Sequence, residues 1–205
     1  MLWSAHPDLT SVWFENVAAA KKNGWTEVLG FNEPDLCGDN GVGASCMSVE
    51  DAVAAYRKWI TPLKKQGFRL GAPAVTNGQG LNIGNDWLVK FLAQCSDCGI
   101  DFLPVHWYGQ YWEFDNFFSN LHYTRDIVGE GRYPIWLTEF GITTGTDAEV
   151  QNFMEIVMAA LEDPSRSWVE KYAWYMAGKP GTYPGNLVAA DQSSLSTFGQ
   201  LYDQM

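Results

Sequence analysis

Short apolar runs alternate with amphipathic stretches along the chain, and polar or aromatic segments follow the apolar runs. An apolar run of a few residues bounded by turn signals is typical of a buried strand, whereas apolar positions at helical spacing favour a helix. Strands are predicted at 27–31, 69–75, 101–108, 134–141 and 170–176. Helices are predicted at 9–23, 49–65, 86–94, 117–128, 147–161 and 195–202, with Ser48 and Ser194 as N-caps of two of them.

This alternation of strand and helix predicts an α/β fold with a parallel sheet and helices packed outside it. No low-complexity tract or linker interrupts the pattern, so we expect residues 1–205 to form a single domain. The Gly-rich, polar and aromatic segments all follow strands, which places them on one face. In a barrel of this class that face carries the active site.

Charge and hydropathy limit the classes of partner that the chain is expected to bind. The net charge is −11 with only 13 Lys and Arg, so we expect no binding to nucleic acid or to anionic membranes, and a neutral substrate is favoured. The apolar runs are too short to cross a bilayer. Aromatic residues make up 15% of the chain, including ten Trp. About half can be core; the remainder suit stacking on flat apolar faces such as those of pyranose rings.

The four cysteines form two close pairs, Cys37/Cys46 and Cys95/Cys98. Two local disulfides in a secreted enzyme are the favoured interpretation. A Cys₄ zinc site stays open as the alternative, although two loops would have to converge to build it. His6, His106 and His122 are too scattered along the sequence to suggest metal catalysis, and no metal site is predicted.

Two acidic residues stand out by position, because Glu33 follows one predicted strand and Glu139 ends another. A carboxylate directly after a buried strand is costly to desolvate unless it has a partner or a task. Glycoside hydrolysis needs such a pair. One carboxylic acid protonates the leaving oxygen, and a second carboxylate attacks the anomeric carbon. The amide of Asn32, next to Glu33, could bind a sugar 2-hydroxyl or could merely cap the turn before Pro34.

Four segments carry a family resemblance: LGFNEPD at 29–35, LGAPAV at 70–75, CGIDFLPVHWY at 98–108 and IWLTEFG at 135–141. In this ordered set the chain resembles the clan A glycoside hydrolases, and more narrowly family 128, the endo-β-1,3-glucanases. The resemblance implies a (β/α)₈ barrel of the TIM type, with the acid/base Glu33 ending the fourth strand and the nucleophile Glu139 ending the seventh.

Counting strands on that pattern leaves residues 1–3 as the tail of the third strand. The first two strands are then missing, so the expectation is a barrel truncated at its N-terminus. The resemblance further implies a retaining, endo-acting hydrolase of β-1,3-glucan that is a monomer, needs no cofactor and is secreted to the extracellular space or cell wall.

Candidate substrate-binding residues cluster after the predicted strands. His106 could orient a catalytic carboxylate or be a buried structural imidazole. Trp107 and Tyr108 could stack on or bind a glucose ring, and Tyr111 lies on the loop that follows. Trp174 is the candidate for an aromatic floor beneath the reacting sugar, which the resemblance places on the eighth strand.

Two other functions stay open. The chain could be a clan A hydrolase of another β-linked glycan. Alternatively, it could be a glucan-binding protein or pseudoenzyme without turnover, which the missing strands favour and the retained pair Glu33 and Glu139 disfavours.

Overall fold

The structure is a computed structural model and describes residues 1–38, 43–178 and 183–205. The chain divides into two compact units, Met1–Val105 and His106–Met205. The division falls within one strand.

The first unit consists of short parallel strands connected by helices. Its helices are α1 (Pro7–Thr10), α2 (Trp13–Lys22), α3 (Val49–Trp59), a 3-10 helix (Thr61–Gln66) and α4 (Asn85–Gln94). Its strands are β1 (Glu27–Val28), β2 (Arg69–Leu70) and the beginning of β3 (Leu103–Gly109).

Parallel pairing in this unit extends beyond the named strands. β1 pairs with β2 in parallel, and isolated parallel bridges join Asn32 to Ala74 and Val75 to Val105. The N-terminal residues lie along the other side of this array, because the Leu2 amide donates to the Leu29 carbonyl at 3.1 Å. The predicted strand pattern of this half of the chain is therefore confirmed as parallel.

An aromatic cluster fills the core between the strands and α3 and α4. Tyr56 is fully buried and contacts Phe31 and Phe91 edge-on, at centroid distances of 6.5 and 5.5 Å. Its hydroxyl donates to the Gly71 carbonyl at 2.9 Å, which satisfies the polar end of the ring. Burial raises the pKa of Tyr56 well above its usual range, so the phenol stays protonated and keeps this bond.

The second unit carries the rest of β3 with β4 (Ile135–Ile142) and β5 (Val169–Trp174), in the sheet order β3-β4-β5. β4 and β5 are parallel. The helices are α5 (Phe114–Ile127), α6 (Asp147–Leu161), a 3-10 helix (Pro164–Arg166) and α7 (Thr197–Gln204). The α/β architecture with parallel strands is thus present in both units.

The core of this unit is also aromatic. Phe153 of α6 stacks on Trp107 of β3 at 5.6 Å, and Phe140 of β4 meets Trp174 of β5 edge-on at 5.1 Å. Phe117 of α5 contacts both Trp107 and Phe140. Many of the aromatic residues expected in the core therefore pack the helices against this sheet.

Element boundaries differ from the predicted ones where a local rule was overlooked. The helix predicted at 49–65 ends at Trp59 and continues as a 3-10 helix with Pro62 in its first turn, because proline cannot donate to the preceding helical turn. The helix predicted at 9–23 is divided into α1 and α2. The last helix is capped by Ser196, whose hydroxyl accepts from Gly199, so Ser194 is the wrong N-cap; the Ser48 cap is confirmed.

Among the described residues, no helix has the length and apolar character needed to span a membrane.

Candidate active site

The segment after β1 carries Glu33 in an unusual backbone conformation. Glu33 has φ +43°, a left-handed conformation that costs a non-glycine residue free energy and that clusters at functional sites. Its amide donates to the Ala74 carbonyl at 2.8 Å, and its carbonyl accepts from Leu36. These bonds hold the backbone in that conformation, with the side chain half-buried.

Asp35 secures the same segment to the loop after β2. Its carboxylate is 5% exposed and accepts the Thr76 hydroxyl at 2.6 Å and the Thr76 amide at 3.1 Å. It also accepts the Gly84 amide at 2.8 Å. One buried carboxylate therefore joins the turn that carries Glu33 to both ends of the neighbouring loop.

Asn32 is buried, and its amide nitrogen donates to the Gly43 carbonyl at 3.0 Å. Its backbone is bonded on both sides, to the Trp3 carbonyl and to the Ser45 amide. The side chain thus holds a neighbouring loop, and the hydrogen bond to a sugar hydroxyl stays a prediction.

Glu139 lies in the C-terminal half of β4 with its side chain 28% exposed. Two side chains of β3 hold its carboxylate. The Tyr108 hydroxyl donates to Oε2 at 2.7 Å, and Nδ1 of the buried His106 lies 3.6 Å from the same oxygen. This arrangement fixes the orientation of the carboxylate while leaving part of it accessible, as a nucleophile requires.

Two tyrosines surround Tyr108. Tyr183 stacks on it at 5.3 Å, and Tyr175 contacts it edge-on at 5.6 Å. Tyr183 is 41% exposed. Together the three rings form a tyrosine cluster (Tyr108, Tyr175, Tyr183) beside Glu139.

Trp107 and Trp174, both predicted to contact substrate, lie in the core. Trp107 is fully buried, and its indole N–H donates to Asn116 at 3.1 Å. Trp174 is 4% exposed and donates to the Gly185 carbonyl at 2.7 Å. With the rings enclosed and their donors paired, both positions favour a packing role, and contact of either indole with a sugar stays a prediction.

Tyr111 lies on the loop after β3, as expected. Its hydroxyl donates to the Glu149 carboxylate, and this bond raises the pKa of Tyr111. The ring also meets Trp112 edge-on at 4.7 Å.

Both predicted disulfides are present, Cys37–Cys46 and Cys95–Cys98. They leave no cysteine thiolate for the alternative zinc site, since no free cysteine remains among the described residues. The first disulfide follows the Glu33 segment, and the second closes the end of α4.

The sequence interpretation missed Asp35, Tyr175 and Tyr183. Asp35 stands in the quoted NEPD motif, and its place after a strand was the same signal that singled out Glu33. Tyr175 follows Trp174 directly, and successive strand residues point to opposite faces. Trp174 therefore lies in the core, whereas Tyr175, one residue later, lies in the tyrosine cluster.

Comparison with known proteins agrees with this arrangement. The family described as glycosyl hydrolase catalytic core matches residues 1–202. Alkali-sensitive linkage protein 1 of Schizosaccharomyces pombe is 36% identical over 197 residues, covering 90% of this chain and 34% of that protein. The chain thus spans about a third of the length of this curated relative.

Solved structures give the same family. A curdlan-specific exo-β-1,3-glucanase of family 128 from Blastomyces gilchristii, in complex with glucose, is 32% identical with a TM-score of 0.81, covering 100% of this chain and 80% of that one. An endo-β-1,3-glucanase variant of the same family from Amycolatopsis mediterranei, in complex with laminaripentaose, is 28% identical with a TM-score of 0.73, covering 98% and 79%. The chain therefore belongs to the glycosyl hydrolase catalytic core family and, within it, to glycoside hydrolase family 128, whose members are glycosidases.

Proposed function

We propose that this chain hydrolyses β-1,3-glucan by a retaining double displacement in which Glu139 is the nucleophile and Glu33 the acid/base. The observation that carries the proposal is the Glu139 carboxylate in the C-terminal half of β4, partly exposed and oriented by Tyr108 and His106. The left-handed Glu33 at the end of the β1 segment supports the second role, because strain of this kind persists where surrounding structure enforces it.

In the first step Glu139 attacks the anomeric carbon while Glu33 donates its proton to the leaving glycosidic oxygen. The bond to the leaving sugar breaks as the bond to the Glu139 carboxylate forms. In the second step the ionised Glu33 takes a proton from water, and the water oxygen displaces Glu139 from the anomeric carbon. This route needs carboxyl groups about 5–5.5 Å apart.

The two units are proposed to form one catalytic domain, part of a (β/α)₈ barrel in which this sequence supplies the third to eighth strands. Parallel pairing within each unit supports this architecture, as does the 80% coverage of the Blastomyces structure. Among the described residues, β5 is an edge strand of its sheet. In a closed barrel every strand pairs with a neighbour on both sides. A crystal structure would test this architecture, which requires the strands of both units to belong to one curved sheet.

The proposed mode of action is endo, since family 128 endo-glucanases are among the similar structures. Exo action is the second candidate because the Blastomyces enzyme, which is 32% identical, is described as an exo-glucanase. The size of laminarin products over time separates the two. An endo enzyme shortens the polymer before small sugars accumulate, whereas an exo enzyme releases small sugars from the start.

Several further properties belong to the proposal. Asn32, Tyr108 and Tyr111 are proposed to contact the glucan, with His106 orienting Glu139. A net charge of −11 suits a neutral polysaccharide. The enzyme is proposed to act as a secreted monomer without a cofactor; the two disulfides support an oxidising compartment. Activity unchanged by a chelator and a monomeric mass in solution are the expected checks.

The mechanism is tested by following a laminari-oligosaccharide with proton NMR. The β-anomer should appear first, and first appearance of the α-anomer would overturn the nucleophile role of Glu139. Azide then assigns the two residues on an aryl β-laminaribioside, whose phenolate leaving group needs no proton: Glu33→Ala should yield a β-glycosyl azide and Glu139→Ala an α-glycosyl azide. Glu15→Gln, an exposed glutamate of α2, is the matched control and should retain full activity.

The same substrates separate catalysis from binding alone. If the unaltered chain binds laminarin but releases no reducing sugar, and Glu139→Gln behaves identically, then the protein is a glucan-binding module. Hydrolysis of another β-linked glycan in preference to laminarin would instead change the substrate and leave the mechanism intact.

A further inference from the structure

The loop after β3 is held rigidly against the loop after β4. The Gly109 carbonyl accepts from the Thr143 amide at 2.9 Å and from its hydroxyl at 3.1 Å. The Gln110 side chain donates to the Thr143 hydroxyl at 3.1 Å and accepts from the Thr144 hydroxyl at 2.5 Å. These bonds fix the backbone immediately before Tyr111 and Trp112.

Tyr111 is fixed from a second direction. Its hydroxyl donates to Glu149 at the beginning of α6, and the same carboxylate accepts the Thr146 amide at 2.8 Å as part of a capping box. The pKa of Glu149 is lowered, chiefly by the bond from the Thr146 backbone and then by Tyr111. The contact thus joins a phenol that stays protonated to a carboxylate that stays ionised.

Trp112 is nevertheless 60% exposed. It meets the Tyr111 ring at an interplanar angle of 86°, so this contact leaves most of the indole surface open. An exposed tryptophan is costly in water, and here it stands on a segment whose neighbours are bonded on two sides. A rigid, open indole can stack on the apolar face of a pyranose ring without first losing conformational freedom.

The position of Trp112 relates it to the catalytic strand ends. It follows the C-terminal end of β3, which carries Tyr108 and His106, and its loop is bonded to the segment that follows Glu139 on β4. Ligands of parallel α/β sheets bind at this edge. Tyr108 contacts Glu139 and therefore lies next to the sugar that reacts. The Trp112 ring lies on the loop that follows, so it suits a neighbouring sugar of the glucan chain.

We propose that Trp112 is a stacking platform for a glucose unit bound outside the reacting position, and that Tyr111 and Glu149 are positioning residues that hold it. This inference rests on the proposed function, because the platform is useful only to an enzyme that binds a chain of sugars. It implies that longer oligosaccharides bind better through a contact that takes no part in the chemistry.

The test compares laminaripentaose with laminaribiose as substrates of Trp112→Ala. KM for the pentasaccharide should rise about tenfold, equivalent to about 1.4 kcal/mol, with little change in kcat, since binding that is equal in ground and transition states affects KM alone. Hydrolysis of the disaccharide should be unchanged because it does not reach the platform. Trp112→Phe should restore much of the affinity by replacing one flat ring with another.

Trp25→Ala is the matched control. Trp25 is 66% exposed but precedes β1, at the opposite end of its strand, so KM for both substrates should remain that of the unaltered chain. Tyr111→Phe removes only the hydroxyl. It should raise KM for the pentasaccharide by a smaller factor than Trp112→Ala, because both aromatic rings are kept.

The outcomes separate this inference from the function beneath it. If the unaltered chain neither binds nor cleaves β-1,3-glucan, the proposed function fails and the platform with it. If it cleaves both substrates and Trp112→Ala leaves KM for the pentasaccharide unchanged, the platform is wrong and the function stands. An equal loss on both substrates would also overturn the platform, because Trp112 would then act at the reacting position or on the fold.

Discussion

Tyr108 donates a hydrogen bond to Glu139 from the neighbouring strand, at 2.7 Å. The phenol and the carboxylate stand 31 residues apart in sequence and meet because their strands lie side by side in the sheet. A donor at this oxygen orients the carboxylate and decides which of its lone pairs faces the substrate.

Removing that donor should damage catalysis more than stability. In Tyr108→Phe we expect kcat to fall about 10–100-fold, because a hydrogen bond to a charged group is worth about 1.5–3 kcal/mol. Steady-state kinetics on laminarin and a thermal melt measure the two effects. Tyr123→Phe, at a 58% exposed tyrosine of α5, is the control and should change neither; an unaltered kcat in Tyr108→Phe would contradict the orienting role.

Asp35 should matter to both the fold and the activity. Asp35→Asn keeps the shape but replaces one acceptor oxygen with a donor, so at least one of the Thr76 and Gly84 donors loses its partner. Leaving a buried donor unsatisfied costs about 1–3 kcal/mol, which urea unfolding should detect. Asp203→Asn, on an exposed residue of α7, should be neutral. Equal stability in both variants would show that the buried network is dispensable.

Stability should fall in acid. Among the described residues, five carboxyl groups have a pKa below the usual range because they accept hydrogen bonds in the folded state: Asp86, Asp97, Glu149, Asp163 and Asp191. A lowered folded-state pKa stabilises the protein above the unfolded value of about 4, and the gain is lost as pH falls through the folded value. Melting temperatures measured from pH 6 to pH 2 should therefore decline in the acidic range.

One ion pair isolates part of that effect. The Arg57 guanidinium is the largest cause of the low pKa of Asp97, at 2.7 Å. Asp97→Asn should therefore show a slightly shallower decline in acid than the unaltered chain. A melting temperature that is flat down to pH 2 in both proteins would contradict the expectation.

The two disulfides, which both lie in the first unit, should stabilise its loops modestly. The Cys37–Cys46 loop closes over a separation of nine residues, for which loop-closure entropy predicts about 2–3 kcal/mol. The double variant Cys37→Ala/Cys46→Ala should melt several degrees lower, since about 1 kcal/mol shifts Tm by about 2–4 °C in a chain of this size. The melt of the unaltered chain with and without reductant provides the comparison, and no difference would argue against a stabilising role.

The strand and helix order could be predicted because the apolar spacing is strongly periodic in most elements. The helix α6 begins and ends where expected, at Asp147 and Leu161, since a capping box marks its first turn. Boundaries failed where one residue outweighed the pattern, as Pro62 did after α3. The family followed from four ordered motifs, and the comparisons confirm it.

The side chains around the site were harder to predict than the strands. Sequence position alone could not show which face of the sheet each aromatic side chain occupies. Trp107 and Trp174 face the helices, whereas the adjacent Tyr108 and Tyr175 do not. Successive strand residues point to opposite faces, so a shift of one residue exchanges the two faces. Nor could it show that the Asp35 carboxylate binds backbone amides far along the chain. Such contacts depend on how strands are paired, which local patterns do not encode.

The Asp35 carboxylate gives the loop after β2 two fixed ends. Thr76 and Gly84 are both bonded to it, and a side chain at Gly84 would meet the Gly78 carbonyl oxygen at 2.1 Å. Because loop-closure cost grows only slowly with length, we expect that the sequence between Gly78 and Gly84 can be exchanged, lengthened or shortened without moving the turn that bears Glu33. The segment between Gly78 and Gly84 is thus a natural graft site, where new sugar contacts could be installed next to the turn that bears Glu33 and leave its placement intact.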